Sequence, residues 1–128
     1  MIQGGVEKLQ TLHPDLSRLI RKVAENWDLI ILETDRTPER QAALVAQGKS
    51  QKLASKHLIQ PDGYAHAADL LPLPADWNEA RRWYYFGGDV TATARSMGIE
   101  VTWGGDWNRN TQVVDQSFND LDHIERTT

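Results

Sequence analysis

The sequence predicts an α+β fold, one small domain in which an antiparallel sheet is flanked by helices. Three observations carry that reading. Residues 14–27 place apolar side chains at helical spacing, residues 29–32 and 66–71 form short apolar runs of strand type, and residues 99–103 alternate apolar with polar side chains. A chain of 128 residues is long enough to bury one modest core without staples, so residues 1–128 are read as a single domain.

The elements follow in order. His13-Pro14 opens a helix whose apolar positions are Leu16, Leu19, Ile20, Val23 and Trp27, all on one face. Proline in the first turn costs no hydrogen bond, because that N–H has no helical partner anyway. Residues 29–32 make a buried strand, and Thr37-Pro38 then reads as N-cap and first residue of a helix stopped by Gly48. Residues 49–64 lack periodic apolar positions and contain Pro61-Asp62-Gly63, so they form a long loop. Loops of that length are uncommon unless they carry function. After the strand at 66–71, Pro72 and Pro74 end extended structure, and Asp76 is placed to cap a helix running to about Met97 with Gly98 as its stop. Gly87-Gly88 lies inside that helix. Each glycine there costs up to about 1 kcal/mol, so the pair marks a kink, a break or a close packing contact. Residues 104–110 are turn-rich, and a last short strand falls around residues 123–125.

Composition narrows the function. The chain has no cysteine, which excludes disulfides and thiolate metal ligands, so any zinc must sit on His and Asp or Glu. The net charge is −4 and no basic block is present, against nucleic-acid binding. No apolar run approaches the roughly 18 residues of a membrane span. Residues 1–5 lack the basic and apolar regions of a signal peptide, which fits a cytoplasmic protein or one whose leader has been removed; the chain is expected to be a monomer not inserted in a membrane.

The chemistry gathers around three of the four histidines. His13 precedes a helix start and reads as a surface residue. His57, His66 and His123 each lie close in sequence to an acid. A catalytic zinc site takes three protein ligands and leaves one position open. If Asp69 faces such a site, strand alternation puts Ala65 and Ala67 on its side and turns His66 away, while His57 swings in from the loop. Asp120 and His123 would face opposite ways on a flat strand, so a turn must intervene for Asp120 to act as a general base beside His123. In purely structural terms, His57 is a loop residue, Asp69 a hydrogen-bond acceptor at a strand end and His123 a satisfied core histidine. Spacing alone leaves both readings open.

The motifs Ser55-Lys56-His57, Ala67-Ala68-Asp69, Trp103-Gly104-Gly105-Asp106-Trp107 and Asp120-Leu121-Asp122-His123-Ile124-Glu125 resemble peptidase family M15. They are most similar to its branch of phage endolysins and bacterial L-alanyl-D-glutamate peptidases, and Arg36-Thr37-Pro38-Glu39-Arg40-Gln41 fits the same branch. The resemblance spans residues 33–125. It implies a hedgehog/D,D-peptidase-like domain with a zinc site at the sheet face. His57, Asp69 and His123 match the zinc ligands, Asp120 the catalytic acid/base, Arg36 the arginine that stabilises the oxyanion, and Ser55 a serine supporting the ligands. Glu125 is placed either to orient a ligand histidine or to face solvent, and Trp103 either to wall the substrate or to pack in the core. The implied partner is a bacterial peptidoglycan peptide, cut at the L-Ala–D-Glu bond after the protein is released onto the wall. A D,D-carboxypeptidase or dipeptidase and a silent zinc-containing binding domain are the alternatives. The intact Asp120 speaks against the silent domain, because a structural metal needs no base. Two departures from the family pattern stand out: extra residues at 59–64, and Ala65 where the motif has glycine.

Overall fold

The computed structural model describes residues 1–50 and 54–128. Its five strands are β1 (Ile2–Gly4), β2 (Leu29–Glu33), β3 (Ala67–Pro72), β4 (Val101–Gly104) and β5 (Asp120–Arg126), and its α-helices are α1 (Pro14–Val23), α2 (Pro38–Ala46) and α3 (Ala80–Ser96). The sheet order is β1-β2-β3-β5-β4. The α+β expectation holds, with one correction to the sheet. It is antiparallel from β2 to β4, but β1 joins the edge in parallel with β2. Three residues are too few to announce a strand by alternation, and a 3-10 helix, Val6–Thr11, carries the chain away from it.

One face of the sheet is the core. Leu29 and Ile31 of β2, Ala68 and Leu70 of β3, Trp103 of β4 and Ile124 of β5 point to it, and α1 and α3 cover it. The stripe Leu16, Leu19, Ile20 and Val23 of α1 is buried against them as its spacing requires. That helix ends at Val23 rather than reaching Trp27. Trp27 still packs inward, edge-on to Phe86, and donates from Nε1 to Asp89 at 2.7 Å. His13 caps α1: its Nδ1 accepts from the Asp15 amide at 3.0 Å.

Helix α3 starts later than expected, because Asp76 caps a turn ahead of it by accepting from the Asn78 amide. It runs through Gly87-Gly88 without interruption. Of the three readings of that pair, close packing is the one found. A Cβ on Gly87 would stand 2.2 Å from the Trp103 indole, and one on Gly105 would stand 2.3 Å from the same ring. The indole therefore lies wedged between two glycines. Gly88 faces solvent with open space around it.

The other face is flanked by α2 and by the long β4–β5 connection. Two bulges shape it. Between Ile31 and Glu33 the β2–β3 register slips, Ile31 pairing with Leu70 and Glu33 with Asp69. Glu33 thereby leaves the core side occupied by Ile31 and joins Asp69 on the opposite side. On β5, Ile124 pairs with Trp103 but Asp120 with Gly104, so three residues bulge between them. This bulge is the turn that Asp120 and His123 require, and it makes the last strand longer than residues 123–125. The extra residues 59–64 fold into a small hairpin closed by an Ile59–Ala65 bridge and the Gln60 amide on Tyr64. Ala65 lies in the core, not beside Asp69 as simple alternation places it, because regular β3 pairing begins only at Ala67.

Two outcomes follow. Gly87→Ala should destabilise the fold by about 1–3 kcal/mol through overpacking against a ring that cannot retreat, whereas Gly88→Ala should stabilise it by up to about 1 kcal/mol through helix propensity; thermal melts of both variants test the opposite signs. Burial, and then the charge of Arg126, hold the His13 imidazole below its ordinary value. A depressed folded-state value means that the cap's contribution is complete above the unfolded value, near pH 6.5, and lost as pH falls below it. His13→Asn caps without titrating, so urea midpoints at about pH 7.5 and 5.5 should fall further for the wild type than for the variant.

Candidate active site

Asp69 and His123 are directly paired across β3 and β5, so their side chains leave the sheet together on the open face. His57 reaches them from the loop. Its backbone is held by a Ser55–Leu58 turn, in which Ser55 Oγ accepts from the His57 amide at 3.1 Å, and its carbonyl accepts from the Arg36 amide at 2.8 Å. The inserted hairpin does not pull it away, because the His66 amide donates to Lys56 O at 2.8 Å and closes the loop next to His57.

Three atoms then face one another: His57 Nε2, His123 Nδ1 and Asp69 Oδ1. Each of the three separations is 3.2 Å. Ligand atoms placed tetrahedrally at ~2.0–2.1 Å from zinc stand ~3.3 Å apart, so this triangle is the size of one small cation's coordination shell. The outer nitrogens fit as well. His57 Nδ1 faces Thr34 O at 2.8 Å and His123 Nε2 faces Glu125 Oε1 at 2.9 Å. Both partners only accept, so each ring keeps a proton on its outer nitrogen and offers the inner lone pair. Two lone pairs and a carboxylate at 3.2 Å demand a positive charge between them. Without a metal, a proton fills that need. Burial works against a charged His123, but hydrogen bonds to Asp69 and Glu125 outweigh it and raise the imidazole to about 9. Burial likewise opposes ionisation of Asp69, yet hydrogen bonds from His123 and His57 hold it well below the usual carboxylate range.

Arg36 lies beside this triangle, nearly buried. Its Nε donates to Glu33 Oε1 at 2.6 Å, Nη1 donates to Gln41 Oε1 at 2.7 Å, and Nη2 lies 3.5 Å from Asp69 Oδ2. The plainer reading of Arg36 from the sequence, an ion pair with Glu33 or Asp35, is met by Glu33 and coexists with a position at the site. Burial resists a charge on Glu33, but Arg40 and Arg36 together keep it ionised below the usual range. Asp120, partly exposed, has Oδ2 4.0 Å from His123 Nδ1. Its neighbour Asp122 is pushed up to about 9 by burial and then by the charges of Asp69 and Asp120.

A cleft of about 550 Å³ opens over these groups. One wall comes from α2 and the residues after it, with Arg40, Leu44, Lys49 and Ser50; the other comes from the β4–β5 connection, with Trp107, Asp115 and Phe118, and from Asp120 at the start of β5. Trp107 stacks obliquely on the His123 ring at 5.4 Å and anchors its Nε1 on Phe118 O.

Among the sequence candidates, His57, Asp69, His123, Asp120, Arg36, Ser55 and Glu125 all line this cleft. Trp103 does not. It lies on the core face, reaching the site only through its Nε1 hydrogen bond to Leu121 O in the β5 bulge. His66 is also elsewhere, bonded to Asp62 at 2.7 Å and packed on His13. That second His–Asp–His group differs in chemistry. The Nδ1 atoms of His13 and His66 face donors, the Asp15 amide and Arg126, so their Nε2 atoms carry the protons toward Asp62. Glu33 and Trp107 complete the site; by sequence Trp107, like Trp103, is open between core packing and substrate contact, and Glu33 enters only as an ion-pair partner for Arg36. The bulge hides Glu33, since plain alternation sends it to the core side with Ile31.

A model of the phage L-alanyl-D-glutamate peptidase family matches residues 2–127. The L-alanyl-D-glutamate peptidase of Listeria phage A118 is 38% identical over 84 residues, 63% of this chain, and the matched chain spans 27% of that relative's length. The crystal structure of the L-Ala D-Glu endopeptidase ChiX of Serratia marcescens is similar with a TM-score of 0.74 and 32% identity, over 94% of this chain and 84% of that one. With a family model covering nearly every residue and a solved endopeptidase sharing the fold, the chain belongs to the phage L-alanyl-D-glutamate peptidase family.

Proposed function

We propose that this protein is a zinc peptidase that hydrolyses the L-Ala–D-Glu bond of peptidoglycan stem peptides. The observation that carries the proposal is the triangle of His57, Asp69 and His123, with inner lone pairs converging at 3.2 Å and outer N–H groups fixed by acceptors. Family membership and the named activities of the Listeria phage and Serratia relatives supply the substrate.

His57, Asp69 and His123 would hold the ion, and zinc in that position supplies Lewis acidity for activating a water and polarising a carbonyl. The chain's own groups do the rest. Asp120 stands on the cleft side of the triangle, exposed enough to meet substrate, and serves as the base that takes a proton from the attacking water. It then returns that proton to the amine as the peptide bond breaks. Arg36 is held at three points and places its guanidinium at the rim of the triangle, where negative charge develops on the carbonyl oxygen. Ser55 fixes the turn that aims His57, and Trp107 backs the His123 ring.

The test is mass analysis of fragments released from purified peptidoglycan, with and without chelator. New L-Ala carboxyl and D-Glu amino ends should appear, vanish with chelator and return with zinc; products at another bond, or indifference to chelator, overturn the proposal. Asp120→Asn should lower kcat by about 10²–10⁴-fold while bound zinc, measured by elemental analysis, stays stoichiometric. Glu125→Gln should instead act on the metal. Zinc affinity should weaken about 10–100-fold in a competition titration, because the acceptor that orients His123 is weakened.

A further inference from the structure

The two walls of the cleft differ in charge. The wall from the β4–β5 connection and the start of β5 carries Asp115 and Asp120. Asp115 is held ionised by hydrogen bonds from Asn108, Asn110 and Gln116. The facing wall carries Arg40 and Lys49. These two cations are not equivalent. Arg40 is committed to Glu33, with Nε at 3.0 Å and Nη2 at 3.2 Å from its two oxygens. Lys49 is exposed, follows the α2 stop at Gly48, and makes no ion pair among the described residues, while its backbone amide is tied to Leu44 O at 2.9 Å. It is a cation with an anchored backbone, an unused charge and access to the cleft.

A glutamyl residue on the leaving side brings a charge that needs such a partner. Glutamate has two carboxyl groups. Whichever of them continues the peptide, the other remains free close to the scissile amide. Asp120 must approach the amine nitrogen of that same residue to protonate it, so the free carboxylate is repelled from the acidic wall and turned to the opposite one.

We infer that Lys49 is a specificity-determining residue, binding the free carboxylate of the glutamyl residue on the leaving side of the scissile bond. The inference rests on the L-Ala–D-Glu reading and narrows it to substrates whose glutamyl carboxyl is not amidated. Arg40 supports the same wall through Glu33, and its own substitution would also disturb Arg36, so Lys49 is the informative position.

The experiment uses two synthetic stem peptides that differ only in this group, one with the free glutamyl carboxylate and one with its primary amide. They are cleaved by the zinc-loaded wild type, Lys49→Gln and Lys49→Arg. The wild type should prefer the carboxylate by about tenfold in kcat/KM, the size of one charge-assisted hydrogen bond. In Lys49→Gln the ratio should fall toward one, and Lys49→Arg should restore it. Added salt should compress the wild-type ratio, since the contact is at an exposed rim. A wild type that cleaves both peptides equally, or a Lys49→Gln variant that keeps the full preference, overturns the role of Lys49 and leaves the L-Ala–D-Glu activity standing. Cleavage of neither peptide by the wild type overturns that activity, and this inference with it.

Discussion

Asp69 and His123 face each other across β3 and β5, and the buried charge of that pair sets the rest of the site. A carboxylate in a nearly closed position is costly unless it is neutralised and hydrogen-bonded. The chain answers with alternating charges laid side by side: Lys56, Glu125, His123, Asp69, Arg36, Glu33 and Arg40. Each inner member is held between two of opposite sign. Removing any one leaves its neighbours buried and unbalanced, which costs more than the lost contact itself. His57 stands beside the row rather than in it. Thr34 O accepts at its outer nitrogen and leaves the inner one facing Asp69 and His123, so the three together could hold a metal ion.

Positioning comes from irregularity in an otherwise plain sheet. The bulge in β2 brings Glu33 over to the side of Asp69, and the bulge in β5 brings Asp120 to the side of His123. The strand between them, β3, is regular and carries the central carboxylate. Gly104 permits the second distortion. A Cβ there would lie 1.9 Å from Asp120 O, so β4 can approach the bulged strand only where it has no side chain.

These irregularities also mark where sequence reasoning stopped. Periodicity located α1 and apolar runs the central strands, while cap and stop residues located α2 and α3, Thr37-Pro38 and Gly48 for the first and Gly98 for the end of the second. Alternation separated Asp69 from His66, since regular pairing extends from Ala67 through the position that matters. It failed at Ala65, just before that pairing begins, and could not see Glu33, whose facing depends on one extra residue in β2 itself. The need for a turn between Asp120 and His123 was legible from their spacing, but its form as a bulge within one continuous strand was not. Trp103 and Trp107 were indistinguishable by residue type. Only the pairing of Trp103 with Ile124 assigns the first to the core, leaving the second to the cleft. Strand β1 was invisible, because its partner rather than its own three residues makes it a strand.

The indole of Trp103 occupies a singular place. Its ring fills the gap between Gly87 of α3 and Gly105, and its Nε1 holds the carbonyl of Leu121 inside the bulge that presents Asp120. One side chain thus belongs to the hydrophobic interior and to the scaffold of the proposed general base. Loosening α3 from the sheet releases both together. Heat or denaturant should therefore displace the Asp120 carboxylate and unfold the tertiary structure in a single cooperative step, with no intermediate in which the core persists while Asp120 has drifted from its station.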